Sequence, residues 1–195
     1  NFLVYKDTLI EEHISGIPGD AFIKDYLDDC LEIEKTQLAK EFVKFNERCM
    51  IRLLGDMRSY NYVVVPTHDF ENVVYKIRPI DFDQQCYEGK FKVYYPQFFK
   101  ENLKMVQLVT KKLDSESVEQ YQLEERSIVA KRILATRSRL NRLLAAMKSD
   151  NISIPKNIEK LKSEIFELTG DINFRDSDGM GELLDNALTF IRRNY

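Results

Sequence analysis

A long apolar stripe that stops at a glycine, followed at once by two β-branched runs, constrains this chain more than anything else in it. Between Phe22 and Leu54, the residues Ile33, Leu38, Phe42, Phe45, Cys49 and Leu53 recur at spacings of three to five, which sets them along one face of a helix. A face that long has to be buried, so the rest of the chain must pack around it. The pattern leaves room for one break near Asp28-Asp29, and Asp20 is a good N-cap for a start near Ala21. Gly55 is expected to end the helix. Residues 62–65 and 73–77 then read as the strands of a hairpin, joined by a moderately long polar loop over 67–72.

The flanks are simpler. Residues 2–10 read as two short strands around a Lys6-Asp7 turn, and Ser15-Gly16-Ile17-Pro18-Gly19 separates them from the first helix. After Pro96 the pattern is helical, with apolar faces from Phe98, Phe99, Leu103, Val106, Leu108 and Val109. Asp114 or Ser115 can cap a helix over about 116–148 that has room for a break. Pro155 suits the first position of another helix ending at Gly170, and 182–193 forms the last. Two small β pieces among five to seven helices make the fold class α+β, mostly α.

Composition narrows the function classes. A chain of 195 residues supports one good-sized core, with 44% hydrophobic and 31% charged residues in the balance of a soluble globular protein. A net charge of -3 gives no global reason to bind nucleic acid, and no apolar run approaches the roughly 20 residues of a membrane span. Neither a nucleic-acid nor a membrane partner is expected. Cys30, Cys49 and Cys86 stand far apart without a metal or disulfide spacing, which fits reduced thiols and a cytoplasmic location. The start at Asn1 suggests a piece of something longer.

The chemistry begins where the stripe ends. Gly55-Asp56-Met57-Arg58-Ser59-Tyr60-Asn61 puts an Asp and an Asn directly before a strand, and the hairpin returns to Ile80-Asp81-Phe82-Asp83. Phosphoryl transfer from ATP asks for one carboxylate near the acceptor hydroxyl and oxygen ligands for magnesium. Because the hairpin folds back, Asn61 and Asp81 can face one ion, and magnesium, which keeps several waters, needs no more than two such ligands.

In this order of elements the chain resembles the protein-kinase-like superfamily, especially its aminoglycoside- and choline-kinase-type phosphotransferases, over residues 2–82. The resemblance implies a helical C-terminal lobe with a catalytic-loop hairpin over 17–195. Residues 1–16 would be a remnant of the N-terminal lobe's strands and the hinge. It implies ATP and Mg as cofactors and a small-molecule acceptor. Asp56 would orient or deprotonate the acceptor hydroxyl, Arg58 would steady the transferring group, and Asn61 and Asp81 would bind Mg, with Asp83 assisting. Adenine would meet the backbone carbonyl of Glu12 and the N–H of Ile14.

The chain departs from the pattern in three ways. Leu54 stands where relatives carry His, Asp83 stands where many carry Gly, and no Gly-rich loop or phosphate-pairing Lys precedes the hinge. This chain is therefore expected to bind ATP poorly. A kinase-derived binding or regulatory module without catalysis is the alternative, and a helical interaction domain with an accidental motif is a third reading.

Other candidates read more plainly. His13 and His68 are far from any Cys pair and suit the surface or the hinge. Asp171, Asn173 and Glu182 mimic three positions of a calcium loop, but Arg175 and Asp176 fall where a ligand and a glycine belong. The run Arg126, Lys131, Arg132, Arg137, Arg139 and Arg142 is expected to form a solvated helix face paired with Glu124 and Glu125, with a site for an anionic substrate or partner as the alternative. Tyr87, Tyr94, Tyr95, Phe98 and Phe99 are expected to pack rather than to bind.

Overall fold

The stripe is buried as its spacing requires. A computed structural model describes residues 2–5, 8–11, 13–69, 72–86, 89–149 and 153–195. Helix α1 (Gly19–Asp25) and a 3-10 turn (Leu27–Asp29) lead into α2 (Glu32–Ile51), so the break falls where the pattern allowed it. Leu38, Phe42, Phe45 and Cys49 are each at most 1% exposed, whereas Ile33, in the first turn, is 60% exposed and outside the core. Asp20 does not cap α1. Pro18 holds that position and Asp20 lies in the first turn, favourable to the positive end of the helix dipole. Gly19 starts the helix because a Cβ there would stand 2.2 Å from the Tyr62 ring and 2.4 Å from the Ser59 carbonyl.

Gly55 is not what ends α2. The helix stops at Ile51, and the turn out of it is made by Leu53 in the left-handed region (φ 47), with Leu54 N donating to Cys49 O at 2.8 Å.

Strands β1 (Phe2–Tyr5) and β2 (Thr8–Glu11) form an antiparallel hairpin of their own, with Phe2 opposite Glu11 and Tyr5 opposite Thr8. The expected Lys6-Asp7 turn lies outside the described residues. A second, three-stranded antiparallel sheet has the order β3 (Ile17–Pro18), β4 (Tyr62–Asp69), β5 (Asn72–Pro79). Its hairpin is longer in strand and shorter in loop than the sequence suggests: pairing runs from Tyr62–Pro79 out to Asp69–Asn72. Polar residues on strand ends that face solvent cost nothing to pair, so polarity alone misplaced the loop.

The remaining elements are α3 (Leu103–Lys112), α4 (Ser115–Ala135), α5 (Arg137–Lys148), α6 (Pro155–Thr169), α7 (Ile172–Arg175) and α8 (Met180–Asn194). Asp114 caps α4 by accepting from Ser117 N, Thr136 marks the break before α5, and Gly170 (φ 68) closes α6. Residues 91–102 are a chain of short 3-10 turns, where sequence suggested helix from Pro96 onwards. The mostly helical α+β class holds. No helix among the described residues is long and apolar enough to cross a membrane.

Two apolar clusters meet along α2. One gathers Phe22, Phe42, Phe45, Met57, Tyr62 and Met105, and the other gathers Ile51, Leu53, Ile133, Leu161, Leu183 and Leu188. Each fully buried aliphatic side chain contributes about 1.5–3 kcal/mol relative to an exposed one. Ion pairs cross between them, and they overturn the expected pairing of the basic run. Glu124 pairs with Lys44 at 2.8 Å, Glu125 with Arg48 at 3.2 Å, and Arg126 with Glu47 at 2.9 Å, all from α4 across to α2. Lys131, Arg132, Arg137, Arg139 and Arg142 are exposed. In the calcium-like segment, Asp171 caps α7 through Asn173 N, and Glu182 accepts from Asp178 N at 2.6 Å.

Candidate functional site

Backbone pairing across the end of α2 builds the site. Leu54 and Gln85 form an antiparallel bridge, Cys86 N donates to Leu53 O at 2.7 Å, and Gly55 N donates to Gln84 O at 3.1 Å. This pins the segment after β5 beside the segment after α2. Gly55 is required here: a Cβ would lie 2.9 Å from the Gln84 carbonyl oxygen, so any side chain would push the two apart.

Asp56 sits on that seam in the left-handed region (φ 53), a conformation Asp tolerates better than most residues. Three bonds hold it there. Its N–H donates to Val93 O at 3.2 Å, and its carbonyl accepts from Arg58 N at 2.8 Å and from Asn61 Nδ2 at 2.7 Å. Since a carbonyl only accepts, the Asn61 amide is oriented with nitrogen toward Asp56 and Oδ1 turned away from it. Asn61 is 7% exposed, and its own carbonyl accepts from Ile80 N at 3.1 Å, which brings the chain entering Asp81 alongside.

The backbone thus carries Asp81 and Asp83 toward the Asp56–Asn61 turn. Asp81 Oδ1 accepts from Asp83 N at 3.2 Å. The Asp83 carboxyl is raised above its ordinary range by partial desolvation first, and then by the charges of Asp81 and Asp56. Asp81 and Asp83 thus follow the strand end that bonds to Asn61, and Asp and Asn side chains carry the hard oxygens that magnesium takes. Among the described residues, no group of three or more His, Cys, Asp or Glu side chains is placed to hold a metal ion. An ion there would rest on one or two carboxylates, the Asn61 amide oxygen and water.

Arg58 is engaged by protein. Its Nε donates to Asp56 Oδ1 at 2.8 Å, its Nη1 donates to Glu101 Oε1 at 3.0 Å, and its guanidinium lies 5.0 Å over the Phe99 ring. The Asp56 hydrogen bond is the largest influence that raises the Arg58 pKa. Glu101 is held below the usual carboxylate range by its own backbone N–H and then by Arg58, and its Oε2 is buried without a partner among the described residues. Glu101 went unnoticed in the sequence, and Phe99 was expected only to pack, because nothing local to them marks a role; the 3-10 turns before α3 carry them to Arg58.

For the adenine-binding pair, Glu12 lies outside the described residues. Ile14 is half-buried in an irregular segment leading to Gly16, whose missing side chain lets it lie against Val63 and Val65 of β4. His13 and His68 are both exposed. Among the aromatic residues, Tyr94 is fully buried and Tyr95 packs edge-on against Phe91 at 5.3 Å. Phe98 is 51% exposed beneath Lys92, and Tyr87 lies outside the described residues.

No family model, no curated protein and no solved structure matches this chain.

Proposed function

We propose that this chain carries the acceptor-activating and metal-holding part of an ATP- and Mg-dependent phosphotransferase that acts on a small hydroxylated molecule. The backbone pairing that sets the Asp56–Asn61 turn beside the exit of β5, where Asp81 and Asp83 follow, is the observation that supports this reading. Asp56 is 26% exposed, enough for an acceptor hydroxyl to reach its carboxylate. Oδ2 would orient that hydroxyl and take its proton, while Oδ1 stays bonded to Arg58. Asn61 and Asp81, with Asp83 beside them, would hold magnesium, which when bound neutralises charge on the phosphates. On this reading residues 1–16 are the remnant of a nucleotide-gripping lobe with Ile14 and Glu12 at its hinge. Residues 17–195 are then the helical lobe, in a cytoplasmic setting that suits the unpaired Cys30, Cys49 and Cys86.

The Arg58 pairing favours a second reading, a kinase-derived binding or regulatory module without catalysis. An arginine that spans Asp56 and Glu101 holds the proposed base in an ion pair and is itself not free to meet a phosphoryl group.

The deciding experiment is transfer of label from γ-labelled ATP to a panel of small alcohols and amino-alcohols with Mg present. It should be run on this chain and on the product of its full reading frame. Transfer that falls about 10²–10⁴-fold in Asp56→Asn supports the enzyme. Absence of transfer from both proteins, or equal turnover in wild type and Asp56→Asn, favours the binding module.

A further inference from the structure

The second apolar cluster borders an open pocket. A cavity of about 610 Å³ opens among α2, α4, α6 and α8, within the size of pockets that take drug-sized ligands. Its walls are mostly apolar, with Met50, Phe91, Ile165, Leu168, Phe190 and Ile191 among them. The cavity opens to solvent, and Phe98 and Leu168 in its lining are 51% and 59% exposed, so an apolar body seated there would take that surface out of water. A space this size invites an occupant.

A polar strut lines it. Arg126 donates from Nε to Glu47 Oε2 at 2.9 Å, from Nη2 to Glu47 Oε1 at 3.4 Å, and from Nη1 to the Tyr195 hydroxyl at 2.7 Å. It thereby ties α4 to α2 and to the end of α8. Glu47 is only 3% exposed on its side chain, so the strut is set into the wall rather than laid on the surface. Tyr95 and Gln122 add a hydroxyl and an amide to the same lining. Burial, with the Glu47 charge, pushes the Tyr95 phenol up to about 12, so it stays protonated and able to donate.

The charge pattern selects the ligand. Glu47 and Arg126 already neutralise one another, so a carboxylate or ammonium entering the cavity would be desolvated without an uncompensated partner. An uncharged hydroxyl or amide would lose little and could bond to Tyr95, Gln122 or the unused N–H groups of Arg126. We propose that this cavity is a binding site for a neutral amphiphile, an apolar body carrying one uncharged hydrogen-bonding head group. None of Asp56, Arg58, Asn61, Asp81 or Asp83 lines this site, which does not depend on the phosphotransferase reading.

The test is a titration of the purified chain with 1-octanol, octanoate and octylammonium, following backbone amide shifts of α8. Saturable shifts with octanol, and binding of both charged isosteres at least about tenfold weaker, are expected. Ala187→Phe, which fills the cavity from α8, should abolish octanol binding. Glu47→Gln should leave Arg126 uncompensated and reverse the preference toward octanoate. The wild-type titration stands alone if either variant fails to fold. No saturable octanol binding, or equal binding of all three ligands, overturns the proposal, as does an octanol affinity unchanged by Ala187→Phe.

Discussion

Asn61 Nδ2 donates to the backbone carbonyl of Asp56 at 2.7 Å, a bond from the foot of β4 to a residue held at φ 53. The proposed base is therefore aimed by its neighbour's side chain as well as by its own backbone. Asn61→Ala should remove about 0.5–1.5 kcal/mol of stability, the usual net worth of such a bond, since the carbonyl keeps its Arg58 N–H partner. Urea denaturation measures it. Asp56→Asn should cost less stability than Asp56→Ala, because Asn tolerates the left-handed region and Ala does not. Equal losses for the two would show that this conformation is not under strain.

Arg58→Ala should raise the apparent pKa of the Glu101 carboxyl as followed by NMR. Part of the depression survives, because the backbone N–H of Glu101 is the larger cause and remains. A lowered folded pKa favours the fold above the unfolded value, and that contribution to stability disappears as pH falls through the folded pKa. Glu101's part of the acid limb should thus start at the same pH in both proteins but end at higher pH, and be smaller, in the variant. Identical Glu101 titrations would mean the ion pair does not form in solution.

Asp83 should respond in the opposite sense. Its carboxyl is raised, so protonation favours the fold and stability is recovered as pH falls through the folded value toward the unfolded one. At neutral pH, Asp83→Asn should leave the Tm unchanged or raise it, by removing a charge that Asp81 and Asp56 repel. Millimolar Mg should raise the wild-type Tm, and Asp81→Asn should reduce that shift more than Asp83→Asn. Mg-independent melting of all three proteins would count against the metal site.

Gly55→Ala should damage the site at its seam. The new Cβ meets a backbone oxygen at 2.9 Å that no side-chain rotation can move, and overpacking of this kind typically costs about 1–3 kcal/mol. Because the segment after β5 must move away, the Asp83 titration should shift down toward its ordinary range. A raised Asp83 pKa retained in the variant would show that the seam does not set the acid spacing.

Arg48 joins Glu41 at 2.7 Å and Glu125 at 3.2 Å, with those carboxylates 4% and 5% exposed, and it donates to Ile77 O at 3.3 Å. Arg48→Met should cost about 3–5 kcal/mol, because it leaves the buried Glu125 without its ion pair, although Glu41 keeps Lys76 at 3.4 Å and the Ile77 N–H at 3.1 Å. Combining it with Glu41→Gln and Glu125→Gln should restore part of the loss. The urea midpoints of the single and triple variants decide this.

What the sequence determined by itself was set by neighbours a few residues apart. The period of Leu38, Phe42, Phe45 and Cys49 made α2. Asp114, Pro155 and Gly170 bounded α4 and α6, and the β-branched runs after Asn61 made the hairpin. Helical periodicity, caps and turn residues act through the local backbone, so they are legible without the fold. The order of Asp56, Asn61 and Asp81 around a hairpin was legible for the same reason, since antiparallel pairing brings strand ends together. Only the tertiary structure decided the partners of the charges. Glu125 has Arg126 beside it in the chain yet pairs with Arg48 on α2, and Arg58 finds Glu101 across a run of 3-10 turns. Such pairs depend on how the chain closes rather than on spacing, because a long side chain takes whichever opposite charge packing delivers within reach. The cavity beside Glu47 and Arg126 has the same origin: it is the space left where four helices do not fully meet, and no single helix encodes it.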